Sequence, residues 1–205
     1  MTEQKKTDNV PWKEILQNIS ASSLGHLTNT GYLSDIKSQV PNQKLMGRIV
    51  TAKIYPPDAS ILREALIFAQ EGDVLAIECA ANSHYACWGE LRNLAAQVKK
   101  LAGVIIAGNV TDIAALRSQP FPVFARGVSA LTTRASANTN NGEMNTPINI
   151  SGVLINPGNI ALGDEDGLFV FSEEYIHSIL ASVKSKEEQD QKKRHELFLK
   201  LTSSF

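Results

Sequence analysis

The apolar positions along the chain change period several times, and each change marks an element. From Pro11 onward, Trp12, Ile15, Leu16 and Ile19 recur at the spacing of one helix face, which predicts a helix over about 11–28, broken by Asn29 and Gly31. LMGRIVTAKIY is dense in β-branched side chains and closed by Pro56-Pro57, so it reads as a strand. ASILREALIFAQEG returns to the helical period and stops at Gly72, and DVLAIEC then reads as a buried strand. After the polar loop AANSHYA, the segment WGELRNLAAQVKKLAG is helical to Gly103, and GVIIAG is short and apolar enough for a strand covered on both faces. TDIAALRS supplies one or two helical turns and FPVFARG another strand. Such alternation of strand and helix predicts a parallel or mixed α/β sheet with right-handed crossovers.

The pattern then changes. From Ala130 to Asn145, Thr, Asn, Ser and Ala dominate and no core residues recur, which predicts a long surface loop. INISGVLINPGNIALGDEDGLFVF holds three short apolar pieces, separated by Pro157-Gly158 and by Gly163 to Gly167, as in a β-meander. Ser172 caps a last helix, over about 172–202, with Glu173 and Glu174 in the first turn, where the helix dipole favours them. Its continuation KSKEEQDQKKRHELFLKL is charged over one face and fits either a solvated helix or one that packs on a neighbouring subunit.

Composition narrows the class. A chain of 205 residues with 43% hydrophobic and 20% charged residues predicts one globular domain over 1–205. The net charge of -1 gives no basic stripe for nucleic acid. No run approaches the roughly 18 apolar residues of a membrane helix, and MTEQKKTDNVPW has no apolar core for a signal peptide. A cytoplasmic protein is therefore expected. Cys79 and Cys87 match neither a zinc-ligand spacing nor a disulfide framework and are expected as reduced thiols. P-loop, GxGxxG, GxSxG and CxxC patterns are absent from the sequence.

Candidate chemistry gathers where an α/β sheet places ligands, beyond the carboxyl ends of its strands. If a helix starts near Trp88, the amides of Gly89, Glu90, Leu91 and Arg92 are among its unpaired donors and suit a substrate carboxylate. Asp112 follows the next buried strand and should emerge at the same edge. Glu90 and Asp112 together suit Mg²⁺ or Mn²⁺, which take oxygen ligands and keep several waters. The competing reading makes Glu90 a dipole-favoured first-turn residue and Asp112 a cap for TDIAAL. His84, Tyr85 and His26 are possible donors or bystanders, Cys87 lacks an evident base, and Asp164, Glu165 and Asp166 in DEDG fit a tight hairpin turn better than a metal loop.

The segments GDVLAIE, WGEL, AGVIIAGNVTDIAAL, FPVFARG and GVLINPGNIALGDEDGLFVF, in this order, resemble the family of 4-hydroxy-4-methyl-2-oxoglutarate aldolase and the regulator of ribonuclease activity A. The resemblance runs from about Gly47 to Phe171. It implies a swivelling β/β/α layered sandwich with a mixed central sheet, a C-terminal β-meander and a helix. It further implies a divalent-metal-dependent lyase, aldolase or oxaloacetate decarboxylase-like, that cleaves a small 2-oxo acid to give pyruvate. By the family pattern Asp112 binds the metal, Glu90 acts through a water, and the amides from Gly89 to Arg92 hold the pyruvyl carboxylate.

The family's aldolases place Arg-Asp twenty residues after the acidic residue, whereas Glu90 is followed after twenty residues by Thr111-Asp112. A guanidinium offers a bidentate charged fork and a threonine hydroxyl one neutral donor, so the substrate site is diverged. Arg92 and Arg126 are candidate substitutes for the missing cation. The family also implies a homotrimer, or a hexamer of stacked trimers, with Glu187 or Glu188 from an adjacent subunit entering the metal shell. A non-catalytic regulatory or binding protein on the same scaffold is the alternative.

Overall fold

In the computed structural model, which describes residues 11–80, 84–134 and 141–202, the N-terminal apolar stretch forms two short helices, α1 (Pro11–Leu16) and α2 (Ala21–Gly25). The single helix expected over about 11–28 is broken at Ser20. That residue takes an extended backbone, and its Oγ accepts the Ser23 amide at 3.1 Å as the N-cap of α2. Lys44 Nζ then donates to the carbonyls of Leu16, Gln17 and Ile19 at 2.8, 2.7 and 2.6 Å, satisfying acceptors that the break leaves open.

Strands β1 (Lys37–Ser38) and β2 (Leu45–Ile54) follow, then α3 (Ile61–Phe68), β3 (Asp73–Cys79), β4 (Ala86–Trp88), α4 (Glu90–Val98), β5 (Gly103–Val110), α5 (Ile113–Arg117) and β6 (Val123–Val128). β2, β3, β5 and β6 lie side by side in parallel, as the strand and helix alternation predicts. The short β4 joins β5 beyond the end of β3: Glu78 pairs with Ala107, whereas Ala86 pairs with Asn109 and Trp88 with Val110.

The second half holds β7 (Gly142–Met144), β8 (Ile148–Ile150), β9 (Val153–Ile155), β10 (Ile160–Asp164), β11 (Gly167–Phe171) and α6 (Glu173–Thr202). β7 pairs antiparallel with β2, so the stretch expected as a loop from Ala130 to Asn145 contains a strand; residues 135–140 of it lie outside the described residues. The three-piece meander is instead four strands in two ladders. β8 and β9 form their own hairpin around Ser151 and Gly152, both at positive φ, while β10 pairs with β2 and β11. At the far side of β11, Val170 donates to Gly31 O and Leu33 to Leu168 O, each at 2.9 Å, and that segment leads into β1, which pairs with β6. The mixed sheet is thereby nearly closed. Gly31, at φ +74, permits this approach, because a Cβ there would stand 1.9 Å from Val170 O.

Alternation along the strands sorts the core into layers. Val74, Ala76, Ile105 and Phe124 face the β8–β9 hairpin, while Leu75, Ile77, Val104 and Ile106 lie under α3, α4 and α5. This is the expected β/β/α sandwich. A third cluster packs α1, α2 and α6 on β10 and β11 through Trp12, Leu24, Ile176, Leu180 and Phe169. Among the described residues no helix is long and apolar enough to cross a membrane.

Candidate functional site

Pairing of β4 with β5 brings two chain turns together at the carboxyl edge of the sheet. Thr111 donates its amide to Trp88 O at 2.8 Å, so Gly89, which follows β4, sits against Thr111 and Asp112, which follow β5. A Cβ at Gly89 would stand 2.4 Å from Asp112 Oδ2 and 2.7 Å from Thr111 Cγ2, so no other residue fits without displacing them.

Asp112 adopts the left-handed region at φ 53, ψ 36, which short polar side chains tolerate best after glycine. Its side chain does not cap α5. Instead Oδ2 accepts the Glu90 amide at 3.0 Å, at the positive end of α4. Both simpler expectations change here. Asp112 stands at the N-cap position of α5 without a side-chain cap bond, and one amide of the predicted anion cradle already has its anion. The amides of Leu91 and Arg92 remain in the first turn, where a helix offers them no carbonyl.

These residues wall a cleft of about 350 Å³, lined on one side by Trp88, Gly89, Leu91, Arg92, Thr111 and Asp112. Glu90 is not part of that lining: its side chain is exposed, and its amide is spent on Asp112. Thr132 and Thr133 form the opposite wall, because Ala86 donates to Leu131 O and Thr133 donates to Ala86 O. The sequence reading missed both threonines by treating the stretch as loop, because only the bridge between Thr132 and Ala86 brings it to the cleft.

Arg92 is half-buried, with Nη1 donating to Cys87 O at 2.5 Å and Nη2 reaching Ala59 O at 3.5 Å. Burial pushes its pKa down from the ordinary arginine value. Both contacts are to carbonyls, and no ion pair is formed by Arg92 among the described residues. A cation desolvated in this way gains from an anion in the cleft.

A family described as RraA-like, Aldolase/RraA, matches residues 18–170. The chain belongs to the RraA-like family. An uncharacterized protein of Methanocaldococcus jannaschii is 33% identical over 186 residues, covering 89% of this chain and 87% of the relative. A 4-hydroxy-4-methyl-2-oxoglutarate aldolase of Thermus thermophilus is 32% identical over 130 residues, covering 63% of this chain and 77% of the relative. The structure of the RNA-processing inhibitor RraA from Thermus superposes with a TM-score of 0.65 at 27% identity, covering 74% of this chain and 92% of that one.

Within the RraA-like fold the remaining candidates separate. Arg126 is not brought to the cleft. It shares the face of β6 that carries Phe124, where Nε pairs with Asp35 at 2.7 Å and Nη1 donates to Ala107 O at 2.9 Å. Burial pushes the Asp35 carboxyl up, but hydrogen bonds from Ser151 and Arg126 outweigh it and hold the group below its ordinary value. Glu187 and Glu188 lie on α6 and line a different hollow, beside Glu14 and Lys184, where Glu187 Oε2 accepts Ser23 Oγ at 3.0 Å. They do not meet Asp112 within one chain. No group of three or more metal-type side chains assembles among the described residues. His84 is exposed, and neither it nor Tyr85 lines the cleft. His26 closes α2. Asp164 accepts the amide of Asp166 at 3.0 Å, as a turn residue does, and that of Ala21 at the start of α2 at 2.8 Å.

Proposed function

We propose that this RraA-like protein is a divalent-metal-dependent carbon–carbon lyase that cleaves or decarboxylates a small 2-oxo acid and releases pyruvate. The observation that carries the reading is the carboxylate of Asp112, held at the N-terminus of α4 by the Glu90 amide and made possible by Gly89.

The donor set fits Mg²⁺ or Mn²⁺. Asp112 spends one oxygen on the amide, and among the described residues Oδ1 has only a long 3.5 Å contact from Thr111 Oγ1, so it keeps lone pairs for a hard cation. Glu90, whose side chain is exposed outside the cleft lining, would add a second carboxylate by turning toward Asp112 and acting through a water, and two carboxylates with waters are what magnesium commonly accepts. Glu187 or Glu188 of an adjacent subunit completes the set. When bound, the ion supplies electrophilic stabilisation of the enolate charge left as the carbon–carbon bond breaks.

The chain's own residues bind and orient. The free amides of Leu91 and Arg92 receive the carboxylate next to the 2-oxo group, and the Arg92 guanidinium supplies the cation that Thr111 cannot. Thr111, Thr132 and Thr133 shape the cleft around the rest of the substrate. The α4 face beside the cleft is apolar and exposed, with Leu91 at 82%, Val98 at 84% and neighbouring Ile67 of α3 at 65%. That face is the contact between subunits of a homotrimer, or of a hexamer, which sets the cleft at a subunit boundary.

Metal-dependent pyruvate release, screened over oxaloacetate and hydroxylated 2-oxo diacids, tests the activity. Calorimetry tests the site: Asp112→Asn lowers Mn²⁺ affinity about tenfold or more without unfolding the chain. Unchanged affinity removes Asp112 from the site. Threonine at position 111 favours a second reading, a non-catalytic regulator, in keeping with the name of the Thermus inhibitor. A folded, metal-binding protein that releases pyruvate from none of these acids selects it.

A further inference from the structure

Cys79 closes β3 and Cys87 is the middle residue of β4, and their sulfurs lie 3.9 Å apart in the apolar layer beneath α3 and α4. The topology accounts for the meeting. β3 leaves β5 after Ala107, and β4 takes the vacated side from Asn109, so the two strand ends face each other next to Gly108. A Cβ at Gly108 would stand 2.6 Å from Cys79 Sγ, so the glycine leaves the space that this sulfur occupies.

We infer that Cys79 and Cys87 form a dithiol modification site, which closes to an intramolecular disulfide under hydroperoxide and stiffens the Cys87–Arg92 wall of the cleft. A disulfide places its sulfurs about 2.0 Å apart, so closure requires a combined approach of about 1.9 Å from the observed 3.9 Å. Small rotations of two side chains with a slight backbone shift cover that.

Cys79 reacts first, since it is 7% exposed while Cys87 is fully buried. Its sulfur attacks one peroxide oxygen, the O–O bond breaks, the thiol proton leaves with the departing oxygen as water or alcohol, and Cys79 becomes a sulfenic acid. The Cys87 sulfur then attacks the Cys79 sulfur, the S–O bond breaks, and hydroxide leaves as water with the Cys87 proton. Two thiols lose two electrons and one hydroperoxide gains two. The hydrogen bond shared with Cys87, together with burial, pushes the Cys79 thiol up, so closure is slow and follows sustained oxidant. The product carries no charge and suits the apolar layer.

Closure reaches the cleft through Cys87. Its carbonyl holds the Arg92 guanidinium, and Trp88 and Gly89 follow it directly along the wall. The site goes beyond the lyase reading and depends on no substrate.

The test treats the full chain with hydrogen peroxide and measures mass, thiol alkylation and amide hydrogen exchange. Expected are a loss of about 2 Da, a single Cys79–Cys87 crosslinked peptide pair, and reversal by dithiothreitol. A Tm rise of about 5 °C follows from closing so short a loop, and exchange across 86–92 slows about threefold or more. Cys79→Ser and Cys87→Ser each abolish the crosslink and the Tm rise. Thiols that stay alkylatable for hours, while the urea-unfolded chain oxidises, overturn the site. So does a wild type that gives only intermolecular dimers. A crosslink formed with unchanged exchange across 86–92 overturns the coupling to the cleft.

Discussion

Gly89→Ala perturbs the candidate site at its tightest contact. The added methyl would stand 2.4 Å from Asp112 Oδ2, whereas ordinary contact begins near 3.4 Å. The Gly89 backbone, at φ -143 and ψ -169, is extended and suits alanine, so the cost is steric and local. The carboxylate must retreat by about 1 Å, which stretches its 3.0 Å bond to the Glu90 amide beyond hydrogen-bond range. Losing a hydrogen bond to a charged group costs about 1.5 kcal/mol at an exposed site where water steps in. Alanine offsets about 0.5 kcal/mol of this by restricting the unfolded chain. A net loss of about 1 kcal/mol lowers Tm by about 3 °C in a chain of this size.

Metal binding suffers more, because water cannot repair the position of a ligand. A displacement of about 1 Å in the carboxylate reduces Mn²⁺ affinity about tenfold or more, equal to about 1.4 kcal/mol. Thermal denaturation and Mn²⁺ calorimetry on the same variant read both quantities. The signature is a small Tm loss with a large affinity loss. A folded Gly89→Ala protein with wild-type Mn²⁺ affinity would refute the reasoning, and a Tm loss above about 10 °C would move the role of Gly89 from the site to general packing.

Thr111→Arg returns a guanidinium beside Asp112 in a cleft of about 350 Å³, and should raise oxaloacetate decarboxylation about tenfold or more if the missing cation limits the reaction. No gain alongside an active wild type means that Arg92 already supplies the charge. Arg48 grips Glu173 through two hydrogen bonds, at 3.1 and 2.7 Å, and these hold the carboxyl below its ordinary value of 4.5. A depressed carboxyl pKa adds stability above 4.5 that is lost as pH falls through the folded value. Tm measured from about pH 6 to pH 3 should therefore fall less steeply for Glu173→Gln than for the wild type, and parallel curves would show the pair to be inert.

Hydrophobic period, β-branched content and glycine stops located β2, β3, β5 and β6 and the helices α3, α4 and α5, though not β4, which reads as the end of a loop and the start of a helix. Apolar side chains on successive residues report how many faces of an element are covered. The edge where Gly89 and Asp112 emerge was readable for the same reason: strand, turn and helix start follow one another locally. Pairing between distant segments was not readable. β7 is short and partly exposed, so only its register against β2 makes it a strand, and the LTT stretch meets β4 through a single bridge at Thr132. The carbonyls left open by the break before Ser20 are met by Lys44, which reaches three of them from a different part of the chain. Arg126 and Arg92 looked equivalent along the chain. The alternation of β6 sends one to Asp35, and the first turn of α4 sends the other to the cleft. Residue types and local period thus determined the central parallel strands, the helices that follow them and the residues of the candidate site. Tertiary register decided which side chains meet: Asp112 with the Glu90 amide, Cys79 with Cys87, Arg126 with Asp35. The physical reason is that period records only the burial of each face, whereas partners across a sheet are chosen by the summed packing of strands far apart in the chain.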